Sequence, residues 1–372
     1  MRIRVQPVSS LRQMNQFIKY PFVLYRDDPY FAGHLISERR DFFSVSNPIF
    51  KFTDVSYFLA LDESDKVVGR VTAHVNHNHN KISGERTGFF GFFECDERIE
   101  TARALIQAAE RWLRHRGMTA ARGPFNFSTH EECGFLAHGF DSIPAFMMPY
   151  TKRCYLDFMG ALGYRPVKDL LAYDCSTSNG TIPEYLVRIA ERVRARSGVV
   201  VRSLNMNRFT EEVAAAFRVY NSAWEKNWGF IPMTEDEFRY TAKGLKQIID
   251  PAVALLAEKD GRPIGFSLGL PDYNPIFKKM KGRLFPFGLL RFLLGRRSIH
   301  RIRVITMGVI EEYRKSGVDT LLIHDTFRNG LAKGYTSCEM SWVLEDNLIA
   351  RRTFERCGAE VYKVYRIFEK PL

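Results

Sequence analysis

The sequence predicts an α+β protein made of two related halves, each a mostly antiparallel sheet with helices on its faces. Three observations predict it. Aligning Gly163 with Gly358 lays Gly-Tyr-Arg-Pro-Val-Lys168 over Gly-Ala-Glu-Val-Tyr-Lys363, and nearly the same shift brings Gly69 onto Gly265, each following an apolar run. Repetition at so long a spacing means duplication, since solenoid repeats have shorter periods. Short apolar runs bounded by turn residues recur in the same order in both halves, interleaved with stretches of helical period, as layered strands and helices require. Near the C-terminus a strand-like run, a glycine-bearing turn and a helical stretch follow one another directly.

Taken in order, each half opens on a strand (2–8; 199–204), continues through one or two helices and a hairpin, and reaches a central strand (87–94; 302–310). A helix and a closing strand complete it. Between the halves, Thr181-Ile-Pro-Glu184 has the spacing of a capping box with proline in the first turn, and Gly198 is a helix stop, so 183–197 reads as a joining helix. The expected organisation is an N-terminal domain over 1–178, a connection over 179–198, and a C-terminal domain over 199–372 that carries a basic and apolar insertion at 271–300.

At 372 residues the chain is long enough for two domains, and 45% hydrophobic with 26% charged residues excludes a disordered protein. Six cysteines without Cys-x-x-Cys spacing point to a reducing compartment. The opening Met-Arg-Ile-Arg-Val reads as a strand and no run has the roughly 20 apolar residues of a membrane span, so the expected location is cytoplasmic. The net charge of +12 is uneven: nine Lys or Arg and no Asp or Glu lie between Tyr273 and Ile310. Mixed with Phe and Leu, this composition is that of an interfacial element, and peripheral contact of 275–303 with an anionic membrane is the expected partner interaction. A lid over a bound ligand, or an amphipathic helix packed on its own domain, fits the same residues.

The most informative segment is Arg303-Val-Ile-Thr-Met-Gly-Val-Ile310, then Glu-Tyr-Arg314-Lys-Ser-Gly317-Val-Asp319, then a helix, then Asn347-Leu-Ile-Ala350-Arg-Arg-Thr-Phe354-Glu-Arg-Cys-Gly358. A strand leading through a turn into a helix leaves first-turn N–H groups unpaired at the positive end of the helix dipole, where a phosphate fits. Arg314 and Gly317 match the Arg/Gln-x-x-Gly-x-Gly/Ala loop of the GNAT superfamily of N-acyltransferases, and Asn347, Ala350, Phe354 and Gly358 match its second motif. The chain resembles that superfamily, as a tandem protein, with further resemblance in layout to Fem-type aminoacyl ligases, mycothiol synthase and the GNAT-like bacterial ceramide synthases. Two residues depart from the pattern: Asp319 stands where the loop ends in Gly or Ala, and Phe354 stands where many relatives have a proton-donating tyrosine.

The resemblance implies two tandem GNAT-like domains and an acyl-CoA co-substrate held by the second, with no metal. Its pyrophosphate would lie on the N–H groups of Ser316, Gly317, Val318, Asp319 and Thr320, with Arg314 and Lys315 beside it and Asn347 and Phe354 flanking the donor. Backbone donors at Met307 and Val309 would hold the oxyanion. In the first half Glu94-Cys-Asp-Glu-Arg-Ile-Glu100 replaces the glycine loop, and its carboxylates would repel a pyrophosphate, so donor binding is expected only in the second half.

Amine acylation needs a proton acceptor, because an ammonium has no lone pair. Arg122-Gly-Pro-Phe-Asn126-Phe-Ser128-Thr-His130-Glu131-Glu132 gathers two carboxylates, an imidazole and an amide. Glu132 or Glu131 is the expected base, with His130 behind it and Asn126 and Ser128 toward substrate. A loop satisfying its own backbone explains the same residues. Trp224, Asn227 and Trp228 form a mainly apolar acceptor wall suited to a lipid amine, or else core packing between helices. His77 and His79 would share one strand face, without further ligands close in sequence for a metal. The expected reaction is acyl transfer from acyl-CoA to a primary amine, a long-chain acyl group to a sphingoid base being one form of it. Aminoacyl transfer from charged tRNA and non-catalytic binding of acyl-CoA or lipid are the alternatives.

Overall fold

The computed structural model describes residues 3–176, 180–225 and 227–372. Arg2, at the expected start of the first strand, and the boundary at 178–179 lie outside them. The chain divides into two compact units, 1–170 with 274–295 and 363–372, and 171–273 with 296–362. These units differ from the expected domains in two ways: each takes up the end of the other half's closing strand, and the insertion belongs to the first unit.

The first unit runs β1 (Arg4–Pro7), α1 (Leu11–Leu24), α2 (Ile36–Phe42), β2 (Thr53–Leu61), β3 (Val67–Asn76), α3 (His77–Ser83), β4 (Thr87–Cys95), α4 (Ile99–His115), β5 (Ala120–Gly123), β6 (Phe135–His138), α5 (Cys154–Ala161) and the start of β7 (Arg165–Ser176). Strands β1 to β4 pair antiparallel in sequence order, and β4 pairs parallel with β5. Every residue of β4 is buried, as a central strand covered on both faces must be. The amphipathic α4 sets Leu105, Ile106 and Leu113 into the core with Val71, Phe90 and Phe93. His77 and His79 do not share a strand face: the chain turns helical at His77, and His79 Nε2 lies 3.1 Å from Glu85 Oε2.

The second unit runs α6 (Glu184–Ser197), β8 (Val200–Ser203), α7 (Phe209–Trp224), α8 (Glu235–Leu245), β9 (Ala254–Lys259) and β10 (Arg262–Pro271). The first unit's α9 (Asn274–Met280) and α10 (Gly288–Gly295) interrupt it. It resumes with β11 (Arg301–Val309), α11 (Val318–Ala332), β12 (Ser337–Leu344), α12 (Leu348–Arg356) and the start of β13 (Glu360–Pro371). Strands β8 to β11 pair antiparallel in order and β11 pairs parallel with β12, the pattern of the first unit repeated. Helix α6 forms where expected and ends at Gly198 in the left-handed region, but the capping box does not form: Pro183 is the N-cap and no side chain caps it. The box geometry is found instead at Ser10/Gln13 and Thr234/Glu237.

Candidate active site

In the second unit β11 and β12 are in register only from Arg301 to Val304 and from Ser337 to Met340, although β11 continues to Val309 and β12 to Leu344. The strands part. A register shift between Leu268 and Gly269 leaves Ile305 as an extra residue just where they separate. Beyond it, Ile310 N–H donates to the Ile264 carbonyl (3.0 Å). In an antiparallel ladder this makes Gly308 and Phe266 the next hydrogen-bonded pair, so the N–H groups of Met307 and Val309 point away from β10 toward the opening. Both expected oxyanion donors are therefore turned into the gap.

Four residues past the strand, Tyr313 closes a short 3₁₀ turn, Lys315 and Gly317 take positive φ (64° and 87°), and Gly317 becomes the N-cap of α11 with no side-chain cap. Ser316 N–H bonds back to the Tyr313 carbonyl. Among the described residues the N–H groups of Gly317, Val318, Asp319 and Thr320 have no partner, so the helix N-terminus is open to an anion. Asp319, half-buried in this first turn, does not cap it. Arg314 does not turn to the loop: its Nη2 donates to the carbonyls of Ala223 (3.0 Å) and Ser222 (3.4 Å), fastening the end of α7. Asn347 is likewise structural, its Oδ1 accepting the Ala350 N–H to cap α12.

The two faces of the parted strands differ. On one, Ile302, Val304, Met307 and Met340 meet Ile323 and Phe327 of α11 and Phe354 of α12 around a small apolar pocket open to solvent. Ser267 and Thr326 also line it, and neither buried hydroxyl has a partner among the described residues. On the other face Arg301, Arg303, Glu339 and Ser341 alternate inward from an otherwise apolar pair of strands. Glu339, fully buried, accepts from Ser341 Oγ (2.5 Å) and Tyr362 Oη and lies 3.4 Å from Arg303 Nε. Arg301 joins it to Asp174 at 2.6 Å. Sequence reading missed this network. Its only trace was Arg-x-Arg at the start of one strand and the alternation Glu339-x-Ser341 in the next, both easily read as edge residues.

Trp224, expected in an acceptor wall, lies in a cluster of aromatic side chains. Its ring packs on Gly308, where a Cβ would lie 2.5 Å from it, and meets Tyr220 in a tilted contact with centroids 4.8 Å apart; Tyr220 in turn meets Phe230 and Phe238. Asn227 serves the turn after α7 through its backbone, which donates to Trp224 and accepts from Phe230. Trp228 follows it, half-buried, in the same turn.

The first unit also has a diverging strand pair, since β4 and β5 are in register only over Thr87–Phe89 and Ala120–Arg122. Here the chain fills its own gap. Phe125 N–H donates to the Phe90 carbonyl (2.8 Å) and Asn126 Oδ1 accepts the Phe92 N–H (2.8 Å). A side chain at Gly91 would fall on the Phe125 carbonyl. Asn126 is thus a plug, and Glu132 clamps it: Oε2 accepts from Asn126 Nδ2 (3.0 Å), while His34 (2.9 Å) and Arg39 (3.3 Å) bracket Oε1. Burial alone would raise the Glu132 pKa, but the charges of His34 and Arg39 with their hydrogen bonds hold it down at about 2. Both carboxylate oxygens, expected to take a proton from substrate, are engaged by these partners. Ser128 is a turn residue whose Oγ accepts the His130 N–H, and Glu131 N–H closes the same turn on the Ser128 carbonyl. No group of three metal-ligating side chains occurs among the described residues.

A parted parallel strand pair with outward amides, leading through a glycine turn into an open helix N-terminus, defines an acyltransferase of the tandem GNAT type. The chain belongs to this family: a profile of the Acetyltransferase (GNAT) family matches residues 213–359. It is 35% identical over 376 residues to Protein YghO of Escherichia coli K12, covering 99% of this chain and 95% of that one. It is also 35% identical over 378 residues to the bacterial ceramide synthase of Caulobacter vibrioides, covering 100% and 98%. Among solved structures, a tandem GNAT protein from the clavulanic acid biosynthesis pathway shares the fold with a TM-score of 0.59 at 11% identity, covering 100% and 98%. A GCN5-related N-acetyltransferase from Sphaerobacter thermophilus does so with 0.56 at 14% identity, covering 99% and 95%. Members of the family take acyl-CoA as co-substrate and an amine as acceptor.

Proposed function

We propose that the second unit transfers a long-chain acyl group from acyl-CoA to the primary amine of a lipid such as a sphingoid base. The observation that carries this reading is the parting of β11 from β12 with the Met307 and Val309 N–H groups facing the opening. The pyrophosphate lies on the amides of Gly317 to Thr320, and the pantetheine arm takes the place of the missing ladder bonds. The apolar pocket by Phe354 receives the acyl chain, and the aromatic wall by Trp224 the acceptor's apolar part. The likeness to the Caulobacter ceramide synthase supports a lipid amine as acceptor.

In the reaction the amine nitrogen bonds to the thioester carbonyl carbon, the developing oxyanion rests on the outward N–H groups, and the C–S bond breaks to release CoA thiolate. Glu339, or Ser341 acting through it, takes the proton the nitrogen loses. Phe354 has no proton to give, so the thiolate leaves without one from that position.

The test is thiol release by the purified protein from acyl-CoAs of graded chain length with a sphingoid base, beside calorimetric binding. Turnover that rises with chain length and needs the base is expected. Binding to aminoacyl-tRNA with none to acyl-CoA, or binding without thiol release, overturns the proposal.

A further inference from the structure

The insertion contains two helices of opposite character. Helix α9 is an anchor within the first unit: Ile276, Phe277 and Met280 are buried, Phe277 packs on Phe146, and Asn274 Nδ2 donates to the carbonyls of Pro144 (2.7 Å) and Ala145 (3.0 Å). Gly282 accepts the Ile36 N–H (2.9 Å), so the base of the next segment is fixed as well. Helix α10 and the turn before it do the reverse. Phe285 (70% exposed), Phe287, Leu289, Leu290, Leu293 and Leu294 (68%) all face solvent, and Gly288 is the helix's only buried residue among those described. These six are nearly half of the large apolar side chains exposed on the described chain, gathered within ten residues. Singly exposed leucines need no explanation, whereas a contiguous patch does.

The charge around the patch says what covers it. Lys279, Lys281, Arg283 and Arg291 are exposed beside these side chains, and no Asp or Glu occurs in 274–295. A second copy seated on the patch would bring the same cations against one another. Nucleic acid would meet the cations but leave Leu and Phe in water. An anionic bilayer satisfies both, with apolar side chains at the level of the acyl chains and Lys and Arg at the phosphates.

We propose that residues 281–294 are a membrane-docking element that binds the surface of an anionic lipid bilayer, held rigidly by α9. No helix among the described residues is long and apolar enough to cross a membrane, and the element lies in the interface plane. Docking stands on this surface alone, independent of the reaction proposed for the second unit.

The test is co-sedimentation of the full chain with phosphatidylcholine vesicles, with and without phosphatidylglycerol, in low and high salt. Expected are strong partition onto the anionic vesicles, weakening in salt, and a loss of about tenfold or more in the double variant Leu290→Asp/Leu294→Asp. Both side chains are exposed, so circular dichroism and thermal unfolding stay as in the parent. Arg283→Ser/Arg291→Ser lowers partition onto anionic vesicles alone. Absent binding by the parent, undiminished binding by the Leu double variant, or a parental dimer that this variant splits would each overturn the proposal, the last by assigning the patch to a second copy.

Discussion

Arg303 and Glu339 stand directly opposite each other in the short parallel pairing of β11 with β12, with Arg303 Nε 3.4 Å from Glu339 Oε1 and both side chains almost wholly buried. The pair sits one residue before the strands part. A buried ion pair contributes little stability against apolar residues of the same shape, and its presence at this place needs another reason. Its carboxylate also holds Ser341 and Tyr362, so two hydroxyls are aligned on the face opposite the apolar pocket.

If Glu339 takes the amine's proton, Glu339→Gln lowers kcat by about a hundredfold or more, the usual scale for losing a general base. Acyl-CoA affinity measured by calorimetry stays as it was, because the donor amides are untouched. An unchanged kcat would assign the pair to structure alone. Glu339→Ala is the harsher change, leaving Arg303 buried without its partner at a cost of about 3–5 kcal/mol.

The loop before α11 gives a paired prediction. Gly317 is left-handed (φ 87°) and a Cβ there would lie 2.6 Å from Val193 Cγ2, so Gly317→Glu adds strain, bulk and negative charge at the helix N-terminus. It should abolish acyl-CoA binding. Asp319→Asn acts the other way: a charge in the first helical turn is worth about 0.3–1 kcal/mol, so removing it beside a pyrophosphate should tighten acyl-CoA about two- to fivefold in calorimetry at low salt. Affinity indifferent to both changes would move the donor elsewhere.

How much of this was legible in the sequence depended on whether a residue's role is local. The loop around Gly317 and the strand before it were readable because a glycine turn and a helix start are set by neighbouring residues. Duplication was readable because it is written in the spacing. The partners of Glu132 are hidden from a local reading, because His34, just before α2, and Arg39, within it, lie more than ninety residues away while Glu131 is adjacent. Glu339 was passed over for the same reason, its partners lying on β11 and at Tyr362. The destination of the insertion was hidden because the surface that buries α9 belongs to residues of the other half, such as Phe146.

Glu94 makes stability depend on pH in a direction unusual for a carboxylate. Burial raises its pKa to about 7, only partly offset by Arg70 at 3.9 Å and the hydrogen bond from Tyr25 Oη (2.7 Å). Between the ordinary carboxylate range and about 7 the folded protein binds the proton that the unfolded chain has released, so stability falls as pH rises through this window. Glu94→Gln removes the titration. Relative to the parent, its melting temperature should be higher at pH 8 than at pH 5, with a span of about 3 kcal/mol by the pKa difference. Parallel curves for the two proteins would show that Glu94 titrates normally.

The plug in the first unit separates a structural role for Asn126 from a substrate-binding one. Asn126→Ala deprives the Phe92 N–H of its acceptor and removes one hydrogen bond from Glu132, while His34 and Arg39 remain to neutralise that carboxylate. A buried donor left unpaired costs about 1–3 kcal/mol, readable as a lower denaturation midpoint with unchanged slope. The KM for the amine should not move at a temperature where the variant is folded, since the side chain's amide is committed at both ends to its own unit. A KM that rises several-fold without loss of stability would return Asn126 to the substrate, and with it the polar loop from Arg122 to Gly134 that the sequence first singled out.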